Sequence, residues 1–404
     1  MSETTISKSI TYAVFLFSIG IIGISVISVI FPALIISQTY EFPLDLNPFE
    51  ISPWALPILS TAISLFVFGF LHYKKKLPSS LSNGINFILN FEISRKISII
   101  LGLSILVIYI GFSIPELFID EAEQWPDFLV LEEALNIWPS TDHLSVYVKE
   151  QNTRYVRMIL LDFSQEFFQN IKLLPFVASI FTIVLTALIT IQISKKRLAG
   201  IIAMLVLLSS VTFTDFDTIA VYENFWVLFY MISLYAIKKK WILSPLFYIL
   251  SVFTKAYVAP FFIMTLYSVY RTTIEKKNKY LLFISYIGII IIALSIIIAG
   301  QTLYTDIFEL NFSKFFLGFA DTAMQFRGDL FFIVMLLPMT IGLYMLCKNN
   351  PNADIIHSLI AGTIIFGPIL VMSTFFYEIL SYRYVPTLVF FSIGIGMFFA
   401  KKIK

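Results

Sequence analysis

The chain is poor in the residues that build metal cages and cross-links. Its 404 residues include one cysteine, Cys347, and three histidines, His72, His143 and His357, far apart in sequence. A single cysteine excludes an intramolecular disulfide and any cysteine-based zinc cage, and scattered histidines argue against a histidine-rich metal centre. Charge is scarce too: 13% of residues are Asp, Glu, Lys or Arg, against roughly 25% in soluble domains. No Walker motif, G-x-G-x-x-G or soluble nucleotide-binding domain is readable, so an activated substrate has to come from elsewhere. A cleavable signal peptide is not expected either, because the first apolar run is too long for one and carries no obvious cleavage site.

What the chain does have is apolar runs. It is 58% hydrophobic, with a mean hydropathy of +0.87, and runs of about 20 residues recur along its length, the signature of a polytopic helical membrane protein. The expected fold class is therefore all-α, with about twelve spans at roughly 11–37, 53–73, 97–117, 172–194, 198–213, 219–237, 241–254, 256–270, 280–300, 331–347, 356–376 and 384–400. The pair 241–254 and 256–270 is short and reads as a tight hairpin or a broken helix. Residues 1–96 hold two spans and a loop with a surface or re-entrant helix; residues 97–404 form the remaining transmembrane module.

Charge sets the expected orientation. With the N-terminus inside and the spans alternating, the inside segments carry 20 of the 28 Lys and Arg residues and 4 of the 26 acids. Such a bias places both termini in the cytoplasm. The net charge of +2 is thus the sum of two oppositely charged faces. It gives no sign of nucleic-acid binding; the basic loops face anionic lipid.

The acids of the other face gather in few places. Phe118-Ile119-Asp120-Glu121-Ala122-Glu123-Gln124-Trp125-Pro126-Asp127-Phe128 follows directly on the third run. Carboxylates are costly in hydrocarbon and collect where water or a polar ligand reaches them. The external segment 118–172 that begins here carries two amphipathic helices suited to the membrane interface. One runs from Asp127 to Trp138, with Leu131, Ala134, Leu135 and Trp138 on one face. The other runs from Arg154 to Ile171, with Val156, Ile159, Leu160, Phe163 and Phe167 on one face and Arg157 elsewhere.

A short external loop, Thr214 to Thr218, adds Asp215 and Asp217, and Glu223 is expected about one and a half turns into the next span. Lys255 sits at the outer tip of the hairpin, as a snorkelling lysine or a counter-charge for an anionic headgroup. Arg383 lies between Tyr382 and Tyr384 at the outer interface, as an anchor or a phosphate ligand. Asn311-Phe312-Ser313 matches a glycosylation sequon, and Lys401-Lys402-Ile403-Lys404 has the form of a di-lysine retrieval signal. Acids with isolated bases on one face suit a reaction between a hydroxyl and a phosphate-bearing lipid. A carboxylate takes the hydroxyl proton and the bases hold the phosphate as it leaves.

From about residue 97 to the C-terminus the chain resembles the GT-C superfamily of glycosyltransferases, the dolichyl- or polyprenyl-phosphate-sugar-dependent kind that includes the protein mannosyltransferases. Four features carry the resemblance, by their order and sidedness. They are the span leading to Asp120-Glu121 and its interfacial helices; Asp215-Phe216-Asp217 before Tyr222-Glu223-Asn224-Phe225-Trp226; the Thr254-Lys255 hairpin; and Tyr382-Arg383-Tyr384-Val385-Pro386. The family's acidic motif usually follows the first span, whereas here two spans precede the one that leads into it, and no large soluble C-terminal domain follows, as an oligosaccharyltransferase would have.

The resemblance implies an inverting sugar transferase in the plasma membrane or endoplasmic reticulum, with its site on the non-cytoplasmic face. Asp120 would be the acid/base, with Glu121 beside it. Asp215, Asp217 and Glu223 would be acceptor or metal candidates, and Lys255 and Arg383 would lie near the donor phosphate. The acceptor is a glycan, lipid or protein. Mg²⁺ or Mn²⁺ between Asp120 and Asp217 suits such carboxylates, although some family members work without a metal. The rival expectations are a lipid or glycan transporter, which would show midplane charges and inverted repeats, and a non-catalytic membrane subunit.

Overall fold

A computed structural model describes residues 3–39, 47–139, 154–299, 311–312, 314–348, 350, 352–372 and 380–400. Among these the chain is helical, with no strand. Helices α1 (Glu3–Ile30) and α2 (Pro32–Thr39) divide the first apolar run at Phe31, where Pro32 interrupts the backbone ladder. They are followed by α3 (Ala55–Tyr73), α4 (Ser79–Asn90), which is the surface helix expected within 77–96, and α5 (Arg95–Ser113). A 3-10 turn, Ile114–Phe118, extends α5 towards the acidic stretch.

The external segment gives α6 (Glu121–Gln124), α7 (Asp127–Ile137) and α8 (Tyr155–Phe168). Next come α9 (Leu173–Ser194), α10 (Arg197–Leu208), α11 (Val211–Asp215), α12 (Phe225–Lys239) and α13 (Leu243–Thr254). A 3-10 segment, Ala256–Phe261, leads into α14 (Phe262–Arg271), and α15 is Lys276–Ala299. The last helices are α16 (Lys314–Phe326), α17 (Leu330–Leu346), α18 (Ala353–Val371) and, after the 3-10 turn Ser381–Tyr384, α19 (Val385–Met397).

Local chemistry sets several boundaries. The Ser94 hydroxyl accepts from Ile97 N at the start of α5, and the Ser210 hydroxyl accepts from Phe213 N at the start of α11; each satisfies a donor the first turn leaves open. Gln169 and Lys195 adopt left-handed backbone angles (φ 55° and 60°) that end α8 and α9.

Five helical stretches are long and apolar enough to cross a membrane: Ser7–Ile30, Ala55–Tyr73, Arg95–Phe118, Leu173–Ser194 and Ala353–Val371. The pair α16 and α17, bent by 120°, makes a sixth if it is one span. Five or six of the twelve expected spans thus meet this test; others form shorter helices such as α10 and α13, each of 12 residues and so about 18 Å long, against a hydrocarbon core of about 30 Å. Helices α3 and α5 turn most of their apolar side chains outward; Ile100, Val107, Ile108 and Phe112 are all well exposed. Such outward apolar faces fit a membrane protein and a lipid environment.

The main core forms where α9, α10, α12, α17, α18 and α19 pack together, around Trp226, Tyr230, Leu336, Ile360 and Phe390. Small residues let these helices approach closely: at Gly396 of α19 a Cβ would lie 2.7 Å from Ala199 O and from Thr190 Cγ2. A second, smaller cluster caps one end. It joins Leu131 and Ala134 of α7, Met158 and Leu161 of α8, residues 219–222 of the loop before α12, and Tyr382. Every sequence-derived site residue except Asp215 belongs to this cap or borders it.

Two ends of the bundle are chemically distinct. The cap gathers residues assigned above to the external side. At the opposite end, Arg271 forms a two-point ion pair with Asp354 (2.7 and 3.0 Å) that also engages Thr11 and Ser7.

Candidate functional site

The site is built on the irregular loop Phe216–Asn224, which carries the buried Asp217 and Glu223. This loop corrects the placement of Glu223 within a helical span: α12 begins only at Phe225. The loop's apolar residues, Ile219, Ala220, Val221 and Tyr222, mimic the start of a span, but they pack into the cap cluster instead.

Buried loop backbone needs partners, and two distant side chains supply them. The Glu121 carboxylate, 2% exposed, accepts from Ala220 N (2.9 Å) and Val221 N (2.7 Å). On the carbonyl side, Arg157 Nη2 donates to Val221 O (2.8 Å) and Ala220 O (3.4 Å). Arg157, wholly buried in α8, also lies 3.0 Å through Nε from Glu223 Oε2, as an ion pair rather than an aligned hydrogen bond. Arg157 was not among the sequence-derived candidates; α8 buries Arg157, Met158, Leu161 and Ser164 on one face, not the face its bulkier apolar residues mark. The apolar stripe Ile159, Phe163 and Phe167 is turned outward instead, as in a helix lying on a bilayer.

Burial pushes the Glu121 carboxyl upward, opposed by the Val221 and Ala220 amides and by Lys172 and Arg157. Lys172 is buried too and donates to Glu116 O (2.6 Å) and Ile119 O (3.2 Å), tying the start of α9 to the acidic stretch. Asp120 is exposed. Its Oδ1 accepts from Ala122 N (3.0 Å), so its carboxylate sits at the lip of the cap, one residue from the buried Glu121.

Asp217 is fully buried. Its Oδ2 accepts from Ser113 Oγ (3.1 Å), and Ser179 Oγ donates to its carbonyl (2.7 Å). Burial, with Glu116 adding to it, pushes this carboxyl up to about 7. Asp215, by contrast, ends α11 at the surface, with Asp329 as its charged neighbour, apart from the network around Glu121.

The basic candidates lie together. Lys255, between α13 and the following 3-10 turn, is 6% exposed, which replaces the snorkelling reading. Its Nζ lies 3.8 Å from the centre of the Tyr382 ring and 5.5 Å from that of Trp226, a cation–π arrangement in a desolvated setting. Arg383 Nε donates to the Tyr382 hydroxyl (3.2 Å). Tyr382 also stacks on Tyr222 (4.4 Å, 15°), whose hydroxyl donates to Asp127 (2.7 Å). Burial would raise the Tyr382 phenol, but Lys255 and Arg383 together pull it down to about 7. Glu223 is also within electrostatic reach of Lys255.

The fold thus brings Glu121, Glu223, Lys255 and Arg383 into one connected network, with Asp120 next to Glu121 in the chain; Asp217 is held separately by Ser113 and Ser179, and Asp215 stands outside. No group of three or more His, Cys, Asp or Glu suited to a metal occurs among the described residues. The sequon's Ser313, the Lys401–Lys404 signal, His143 and residues 377–379 lie outside the described residues. Comparison with protein-family models, with curated proteins and with solved structures finds no match.

Proposed function

We propose that the chain is a membrane glycosyltransferase that moves a sugar from a polyprenyl- or dolichyl-phosphate donor to a hydroxyl acceptor, with inversion, on the face opposite its lysine-rich loops. One observation carries the reading. Lys255 and Arg383, from separate segments, converge on Tyr382, and this pair joins through Glu223, Arg157 and residues 220–221 to the loop that Glu121 holds beside Asp120.

In this reaction the acceptor oxygen attacks the sugar's anomeric carbon from the face opposite the phosphate. The acceptor proton passes to Asp120. The carbon–oxygen bond to the phosphate breaks, and its electron pair leaves on the lipid phosphate, stabilised by Lys255 and Arg383. Glu121 is a positioning residue, since both of its oxygens are occupied by backbone amides. Asp217 ties the same loop to Ser113. The outward stripe of α8 rests on the lipid surface from which the donor comes.

The test is transfer of radiolabel from synthetic polyprenyl-phosphate-sugars to membrane-extract acceptors by the purified, reconstituted protein. The proposal expects label in the acceptor fraction and a raised KM for the donor lipid in Arg383→Gln. No transfer from any polyprenyl-phosphate-sugar would end it. A second reading has its own observation: Glu121, Arg157 and one oxygen of Glu223 are engaged within the protein, as they would be in a non-catalytic subunit whose cap only folds. That reading expects wild type and Arg383→Gln to be equally inert.

A further inference from the structure

Three short segments meet around Lys255: residues 223–226 at the start of α12, residues 255–257 at the break after α13, and Tyr382-Arg383. The Lys255 ammonium lies 3.8 Å from the centre of the Tyr382 ring and 5.5 Å from that of Trp226, and the Tyr257 ring meets Trp226 edge-on at 5.6 Å. Trp226 is wholly buried and Lys255 nearly so. Two groups that can donate, Trp226 Nε1 and the Tyr257 hydroxyl, are buried here without a hydrogen-bond partner, and so is one acceptor, Glu223 Oε1.

Buried polar groups are as a rule hydrogen-bonded, and each exception asks for an explanation. The protein's own charges do not supply one. Lys255 forms no salt bridge among the described residues, and the Glu223 carboxylate meets Arg157 through its other oxygen, Oε2 (3.0 Å). Glu223 and Lys255 attract one another without being joined. A cation and unsatisfied donors beside an unsatisfied carboxylate oxygen form an asymmetric set. A bare oxyanion would satisfy the donors and be repelled by Glu223. A plain hydroxyl compound would leave the ammonium without a counter-charge. A glycosyl phosphate carries both halves: phosphate oxygens that accept, and sugar hydroxyls that can donate to a carboxylate.

On the glycosyltransferase reading proposed above, we infer that these segments form the headgroup site of the donor: Trp226 Nε1 and the Tyr257 hydroxyl join Lys255 in holding the phosphate, and Glu223 Oε1 accepts from a hydroxyl of the sugar. Equilibrium binding to the reconstituted full chain tests the two halves separately. The probes are polyprenyl phosphate, the tightest binder among polyprenyl-phosphate-linked mannose, glucose and galactose, and the monodeoxy forms of that sugar donor. Radiolabel transfer is followed alongside.

Tyr257→Phe removes only a hydroxyl that has no partner, so it should melt at or above wild type. It should nevertheless bind polyprenyl phosphate about tenfold or more weakly, as for a lost hydrogen bond to a charged group. In wild type one monodeoxy form should bind about tenfold or more weakly than its parent, because it leaves a buried carboxylate oxygen unpaired. In Arg157→Met/Glu223→Leu that ratio should fall to about one, and a partial loss of folded protein does not alter a ratio. Equal binding of polyprenyl phosphate by Tyr257→Phe and wild type would overturn the phosphate ligands, and equal binding of every monodeoxy form would overturn the role of Glu223; either result with label still transferred leaves the glycosyltransferase reading standing. The expected binding losses with no label transferred would keep the headgroup site and end the reaction.

Discussion

At the scale of single residues, the cap depends on charges withdrawn from water and paired. Removing one partner of a buried ion pair costs about 3–5 kcal/mol, while replacing both with apolar residues of similar volume is often neutral or stabilising. Arg157→Ala should therefore destabilise strongly, by about that amount, and Arg157→Met/Glu223→Leu far less. Thermal melting of the detergent-solubilised variants checks this, and equal losses in both would remove the pair from the account. Asp217 gives a pH signature. Its folded carboxyl titrates near 7, above the ordinary carboxylate range, so between about pH 4 and 7 the folded protein holds a proton that the unfolded chain has released. Stability should fall as pH rises through that window. The wild-type-minus-Asp217→Asn difference in melting temperature should follow the same fall; a flat difference would contradict the burial of this carboxyl.

At the scale of elements, the apolar pattern marks most helices within a few residues: α3, α9 and α13 begin and end close to the runs that predict them. The Thr254-Lys255 break and the helix at 79–90 were legible for the same reason. The loop 216–224 was not. Its apolar residues carry the hydropathy of a span, and what keeps it irregular is a carboxylate about 100 residues earlier and a guanidinium about 64 residues earlier. Local pattern cannot contain partners so distant. The helix α16 was missed because its charged residues, Lys314 and Asp321, make it look like loop. Close packing sets another expectation: Gly396→Val would drive its side chain into Ala199 O and Thr190. Overpacking of this kind costs about 1–3 kcal/mol, seen as lower melting, whereas Gly20→Val, with nothing within 4 Å, should melt like wild type.

At the scale of the whole molecule, a helical bundle with outward apolar faces separates two chemistries. One end holds carboxylates with two cations gathered on a tyrosine; the other holds the Arg271–Asp354 ion pair. A total charge near zero gives no sign of this division. The identity of the acidic candidates was readable in sequence; which of them face outward was not, because Asp120 and Glu121 are neighbours with opposite fates, one exposed and one buried. In the reaction proposed above, that division leaves proton transfer to Asp120 and positioning to Glu121. The most direct measurement is the initial rate of sugar transfer from a polyprenyl-phosphate donor by wild type and Asp120→Asn, with melting recorded for both. The account predicts unchanged melting and a rate lower by about 10²–10⁴-fold, as for loss of a general base. Equal rates in the two proteins would contradict it.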